Sequence, residues 1–228
     1  MFDADSCSIL IVDQVDPFGD AKYRSNKESS LQTEVVVSDN LISKKEVRAA
    51  TNAWTDALVS ISQTYKEQGF DATEDLAGDV IDGAYAYQRG AVAFKPTWAF
   101  GDTAFRTTRD GALSYFVGGN GDFDDPGFAI GNKPDPVTGQ RSSWDDAWFD
   151  RSVMRMDGNP ATVQGLLYTK DEAGNLSYVD KTWAYQKDDD GTVRIVLHHS
   201  STPYASVEAP DELKNRKVDN RSFDPANR

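Results

Sequence analysis

Positive charge, cysteine and histidine are all scarce in this chain. Across 228 residues, 24 Lys and Arg stand against 37 Asp and Glu, a formal net charge of -13. Binding to a phosphate backbone rests on clustered cations that release counterions, so so acidic a chain is a poor nucleic-acid partner. The single cysteine, Cys7, excludes an intrachain disulfide and a thiolate metal cage. No run of about 18 apolar residues is present, so no membrane-spanning helix is expected. The first twenty residues carry several aspartates where a signal or transit peptide would carry positive charge, so the chain reads as cytosolic or already processed. Its two histidines, His198 and His199, are adjacent. Strand alternation points neighbours apart, so both bind one ion only if a bulge intervenes, and a catalytic zinc of the usual kind lacks ligands. Carboxylate-rich sites for other ions stay open at this level.

What the chain does have is apolar and aromatic material. A hydrophobic fraction of 39% with 5 Trp, 9 Tyr and 11 Phe supplies a core for one soluble domain. Residues 1–42 read as an N-terminal arm with one short strand, Ser8-Ile9-Leu10-Ile11-Val12. Ser43-Lys44-Lys45-Glu46 has the spacing of a capping box ahead of Val47, Ala50, Trp54, Ala57, Leu58, Ile61 and Tyr65, which predicts a long amphipathic helix ending near Gly69. A second box, Asp71-Ala72-Thr73-Glu74, predicts another helix running to about Arg89. Strands are expected at 91–98, 103–108, 111–117, 152–156, 161–170, 176–187 and 192–202, with turns at Arg109-Asp110-Gly111, Asp171 to Asn175 and Asp188 to Gly191. Gly118 to Trp148 is rich in Gly, Asp and Pro and reads as a long excursion whose Asp122, Asp124 and Asp125 are solvated. The domain then spans 43–206 and a polar tail 207–228. Two helices packed on a strongly curved antiparallel sheet make a cone-shaped barrel of the α+β class.

The last strand carries the most chemistry. In Arg194-Ile195-Val196-Leu197-His198-His199-Ser200-Ser201, alternation groups Ile195, Leu197, His199 and Ser201 on one face and Val196, His198 and Ser200 on the other. Each face receives one imidazole and one hydroxyl. By itself the segment fits a frayed, solvated strand end as well as a site. The apolar series favours the first face as the inward one, and Arg194 heads the other.

Taken with Phe94-Lys95-Pro96-Thr97 and Ala112-Leu113-Ser114-Tyr115-Phe116-Val117-Gly118-Gly119, the segment His198-His199-Ser200-Ser201-Thr202-Pro203-Tyr204 resembles the iota-class carbonic anhydrases of algae and bacteria. The resemblance covers about residues 44–205. It implies a cone fold of the nuclear-transport-factor-like type, reversible hydration of carbon dioxide, a homodimer and no metal or other cofactor. Organism and compartment of the full-length protein are left open, with the plastid stroma of an alga, after processing, as one expectation. Carried over by residue, it points to Thr97 and Tyr115 as catalytic hydroxyls and to Ser201, or its neighbour Ser200, as the motif serine. His199 is then the proton acceptor or relay, and Lys95 adds positive potential at the mouth. The chain departs from the family in holding one copy of a domain that many algal members carry in tandem, and in having Thr202 where methionine is common. Two other readings use the same fold: a non-catalytic oligomerisation module like the association domain of calcium/calmodulin-dependent kinase II, and a lyase or isomerase with a deep carboxylate base.

Overall fold

The computed structural model describes residues 41–203. The arm strand at 8–12, Cys7 and the polar tail lie outside the described residues. Helix α1 (Lys44–Gln68) begins as its spacing predicts: the Ser43 hydroxyl accepts the Glu46 N–H at 3.2 Å, and the Glu46 carboxylate accepts the Ser43 N–H at 2.8 Å. Its buried stripe includes Val47, Thr51, Trp54, Leu58 and Ile61, the steps of three and four that place one face against other elements. Gly69, at φ +85°, ends this helix and starts α2 (Phe70–Ala84) directly. The second capping box therefore does not form. Asp71 lies inside the first turn of α2, where it complements the helix dipole. A short 3-10 turn at 87–89 follows, and β1 (Ala93–Lys95) is shorter than expected.

The strands expected at 103–108 and 111–117 are absent. Instead α3 (Arg109–Val117) forms, with the Thr108 side chain accepting the Gly111 N–H at 3.2 Å. Six of its residues, from Gly111 to Val117, are buried on every side, so no helical period shows in the sequence. Gly118 closes the helix at φ +79°, where a Cβ would lie 2.9 Å from the Asp125 carbonyl oxygen. Asp122 and Asp124 are exposed, but Asp125 is not a solvated loop carboxylate. Its side chain is buried and accepts from Arg106 Nη2 at 2.7 Å and from the Ser114 hydroxyl at 2.8 Å. The excursion then returns over α3, with Phe128 and Ala129 donating their N–H groups to the Tyr115 and Phe116 carbonyls.

Four long strands follow: β2 (Trp144–Met156), β3 (Ala161–Asp171), β4 (Leu176–Lys187) and β5 (Val193–Ser201). The sheet order is β1-β5-β4-β3-β2, antiparallel throughout except for the parallel β1–β5 pair. Among the described residues its edge strands, β1 and β2, do not pair with each other, and the parallel β1–β5 pair makes the sheet of this α+β fold mixed. Helix α1 packs on β2 and α2, and α2 packs on α3. Among the described residues no helix is long and apolar enough to cross a membrane.

One irregularity decides which way β5 faces. Ala184 pairs with Leu197 while the next residue, Tyr185, pairs with Ile195, leaving Val196 as an extra residue in β5. Such a bulge reverses the phase of everything after it. Ile195, His198 and Ser200 are consequently the buried residues, while His199 is exposed and Ser201 half-exposed. The expectation that His199 and Ser201 point inward is corrected accordingly.

Candidate active site

Three hydroxyls from three elements converge on the buried end of β5. Pro96 ends β1, and Thr97 in the turn after it places Oγ1 2.5 Å from Ser200 Oγ. The parallel β1–β5 register, Phe94 opposite His198 and Lys95 opposite His199, brings this turn alongside Ser200. Tyr115 enters from α3 and is 1% exposed. Its ring lies edge-on to Phe94 at 5.6 Å and stacks on Phe128 at 5.6 Å. The Tyr115 hydroxyl is buried and makes no hydrogen bond of good geometry. Burial pushes this phenol up, partly offset by the nearby Thr97 hydroxyl and the Trp98 and Thr97 backbone, so it remains a protonated donor. Lys95 Nζ, half-buried, reaches the Ser200 carbonyl at 3.5 Å, and burial lowers its pKa.

Beside the hydroxyls runs a buried chain of nitrogen and oxygen. Trp54 Nε1–H on α1 donates to the Tyr85 hydroxyl at 2.9 Å, and that hydroxyl lies 2.8 Å from His198 Nδ1. The other ring nitrogen, Nε2, is 2.7 Å from Lys181 Nζ on β4. Phe94 stacks on the imidazole at 4.3 Å. Lys181 is 2% exposed, with Nζ 4.7 Å from the Trp54 ring and 5.4 Å from the Phe128 ring. Among the described residues no carboxylate pairs with it. Burial drives the Lys181 ammonium well down. It does the same to His198, whose imidazolium is further disfavoured by Lys181 and His199.

The structure thus brings together Thr97, Tyr115 and Ser200, with Lys95 behind the Ser200 backbone. It does not bring His199 or Ser201 to them: His199 faces solvent, and the Ser201 hydroxyl lies 3.4 Å from Asp180 on the other side of the sheet. His198 and Lys181 were not anticipated. Lys181 had a signal, since Lys181, Trp183 and Tyr185 alternate along β4 and all three are buried. A lysine in phase with two core aromatics is an inward lysine. Among the described residues no group of three His, Cys, Asp or Glu side chains is placed to hold a metal ion. A buried phenol donor beside two coupled hydroxyls suits a small anion, and nitrogen groups whose charged forms are disfavoured by burial suit proton exchange.

Comparison with known proteins adds to this geometry. The family model described as metal-independent carbonic anhydrase matches residues 45–202. A relative from Nostoc sp. (strain PCC 7120 / SAG 25.82 / UTEX 2576), named metal-independent carbonic anhydrase, is 45% identical over 177 residues, covering 77% of this chain and 80% of that protein. A crystal structure of the iota-carbonic anhydrase from a cyanobacterium, complexed with bicarbonate, superposes with a TM-score of 0.66 at 45% identity, over 72% of this chain and 94% of that one. An NTF2-like protein with a cystatin-like fold from Novosphingobium aromaticivorans matches at a TM-score of 0.42 and 11% identity, over 72% of this chain and 83% of that one.

Proposed function

The chain belongs to the metal-independent carbonic anhydrase family, and we propose that it interconverts carbon dioxide and bicarbonate at the Thr97–Ser200–Tyr115 cluster. In the hydration direction a water oxygen bonds to the carbon of CO2, one C=O π pair moves onto oxygen, and a proton leaves. Negative charge therefore develops on an oxygen that needs donors already in place. The observation that carries the assignment is the buried Tyr115 hydroxyl, which makes no hydrogen bond of good geometry, beside the Thr97–Ser200 pair. Of that pair, one hydroxyl donates to the other, and the second keeps its hydrogen for a bound oxygen. Their free lone pairs accept from the attacking water. Phe94 and Phe128 pack against Tyr115 and keep the site apolar, which strengthens these hydrogen bonds and favours a neutral, apolar substrate.

Lys95 supplies positive potential at the Ser200 end, where bicarbonate leaves. The resemblance to iota-class members supports a homodimer, for sedimentation equilibrium to check, and an algal plastid as compartment, for fractionation of the source organism. The deciding experiment is stopped-flow CO2 hydration by exhaustively chelated protein, comparing the wild type with Tyr115→Phe and Thr97→Val. We expect activity without metal in the wild type and a loss of about 10²-fold or more in each variant. Full activity in both variants would sink the site, and loss on chelation would sink the metal-free reaction.

A further inference from the structure

The hydroxyl cluster leaves one requirement unmet, a base. Serine, threonine and a phenol with a raised pKa do not hold a proton released near neutral pH. His199, on the outer face, does not reach the cluster. His198 is buried on the correct face, yet its ring has no atom open to water. Nδ1 is taken by Tyr85, Nε2 by Lys181, and one ring face is covered by Phe94.

We infer that the amine of Lys181 is the proton acceptor in CO2 hydration and, as ammonium, the proton donor in the reverse reaction, with His198 as the positioning residue that holds it. This rests on the carbonic anhydrase reading above. Lys181 lies directly opposite Ser200 in the β4–β5 register. Its Nζ lies 5.4 Å from the centroid of the same Phe128 ring on which Tyr115 stacks, so one aromatic side chain touches both groups. A lysine kept only for structure would carry a carboxylate partner or reach solvent, and this one does neither. Burial favours its uncharged form, which is the form with a lone pair to offer.

The inference requires one tautomer of the network, in which His198 Nδ1–H, like Trp54 Nε1–H, donates to the Tyr85 oxygen, so that Nε2 accepts one N–H of Lys181 and the amine lone pair stays free. The same N–H···Nε2 bond serves amine and ammonium, so nothing rearranges when the proton arrives. In the step itself the O–H bond of the attacking water breaks, its proton bonds to the Nζ lone pair, and bicarbonate forms beside a new ammonium ion. The aromatic faces of Trp54, Phe128 and Trp183 stabilise that cation. Return to solvent or buffer then restores the amine.

The titratable groups around Lys181 are His198 on β5, Tyr85 after α2, Tyr115 on α3 across Phe128 and, beyond His198, the outward His199. The test is the pH profile of kcat for CO2 hydration in wild type, Lys181→Met and Lys181→Gln, with bicarbonate affinity measured on the same samples by ¹³C NMR. Wild-type kcat falls on the acid side as the amine is protonated. Both variants are expected to lose about 10²–10⁴-fold in kcat, to lose that acid limb, and to bind bicarbonate within about threefold of wild type. The inference is overturned if a folded variant keeps kcat within about fivefold of wild type, keeps the acid limb, or loses bicarbonate affinity in step with rate. An inactive wild type overturns the carbonic anhydrase reading itself, and the inference with it.

Discussion

The Thr97 hydroxyl lies 2.5 Å from that of Ser200, joining the turn after β1 to the far end of β5. That contact exists because the Val196 bulge has already turned Ser200, and not Ser201, to the buried face. Two adjacent serines of identical chemistry are thereby separated into different environments. Ser200→Ala is expected to lower CO2 hydration by about 10²–10³-fold, the range for deleting one donor of an anion cradle. Ser201→Ala, whose hydroxyl faces Asp180, is expected to stay within about twofold by stopped flow. Equal losses in both would show that the bulge does not set the active face.

Tyr115→Phe separates function from stability. The phenol is buried and makes no hydrogen bond of good geometry, having only weak contact with Thr97 and the Trp98 backbone, and a poorly met buried polar group costs about 1–3 kcal/mol. Removing the oxygen leaves the ring contacts with Phe94, Phe116 and Phe128 in place. The variant is therefore expected to melt at or above the wild-type temperature in calorimetry while its hydration activity falls. A clear drop in melting temperature would mean that the hydroxyl is satisfied in the protein and is not held open for a ligand.

How much of this was legible before the structure depends on whether the cause was local. Ser43 and Glu46 cap α1 through contacts three residues apart, and the turns at Asp171–Asn175 and Asp188–Gly191 close hairpins, so spacing alone locates them. After its first two residues helix α3 is almost wholly buried and shows no polar face, so Leu113-Ser114-Tyr115 reads equally well as a strand. The phase of β5 is set by how Ala184 and Tyr185 on another strand meet Leu197 and Ile195, which no pattern within β5 reveals. Short motifs placed Thr97, Tyr115 and Ser200 among the candidates although the element around Tyr115 was misread. Lys181 needed only the observation that it alternates with Trp183 and Tyr185.

Asp125 holds the long loop to α3. It accepts from the Arg106 guanidinium and from Ser114, with Arg106 and Asp125 side chains 1% and 5% exposed. Deleting one partner strands the other charge, at a cost of about 3–5 kcal/mol. Asp125→Ala is expected to lose stability in that range in urea unfolding, and Asp122→Ala, an exposed loop carboxylate, to change it by less than about 0.5 kcal/mol. Similar effects from the two would remove Asp125 as the anchor of the loop that carries Phe128 into the site.

Lys181 makes the fold pH-dependent with a definite sign. In the unfolded chain its ammonium titrates near 10.5, whereas burial lowers the folded value well below that. Between the two, the unfolded chain holds a proton that the folded chain lacks, so stability rises with pH across the window and is lost as pH falls toward the folded value. One such proton is worth about 1.4 kcal/mol per pH unit. His198 contributes with the same sign, but only below its ordinary 6.5. In Lys181→Met the side chain keeps its length and the linkage disappears. Losing one hydrogen bond to His198 Nε2 costs about 1 kcal/mol, less than the several kcal/mol of keeping an amine from its solvated ammonium state. Urea unfolding from pH 7 to 9 is therefore expected to show a rising midpoint in wild type, and in Lys181→Met a flat one that lies higher at pH 7. A parallel rise in both would place the titrating group elsewhere, and a lower midpoint in the variant at pH 7 would make Lys181 a stabilising residue and not one that the fold carries at a cost.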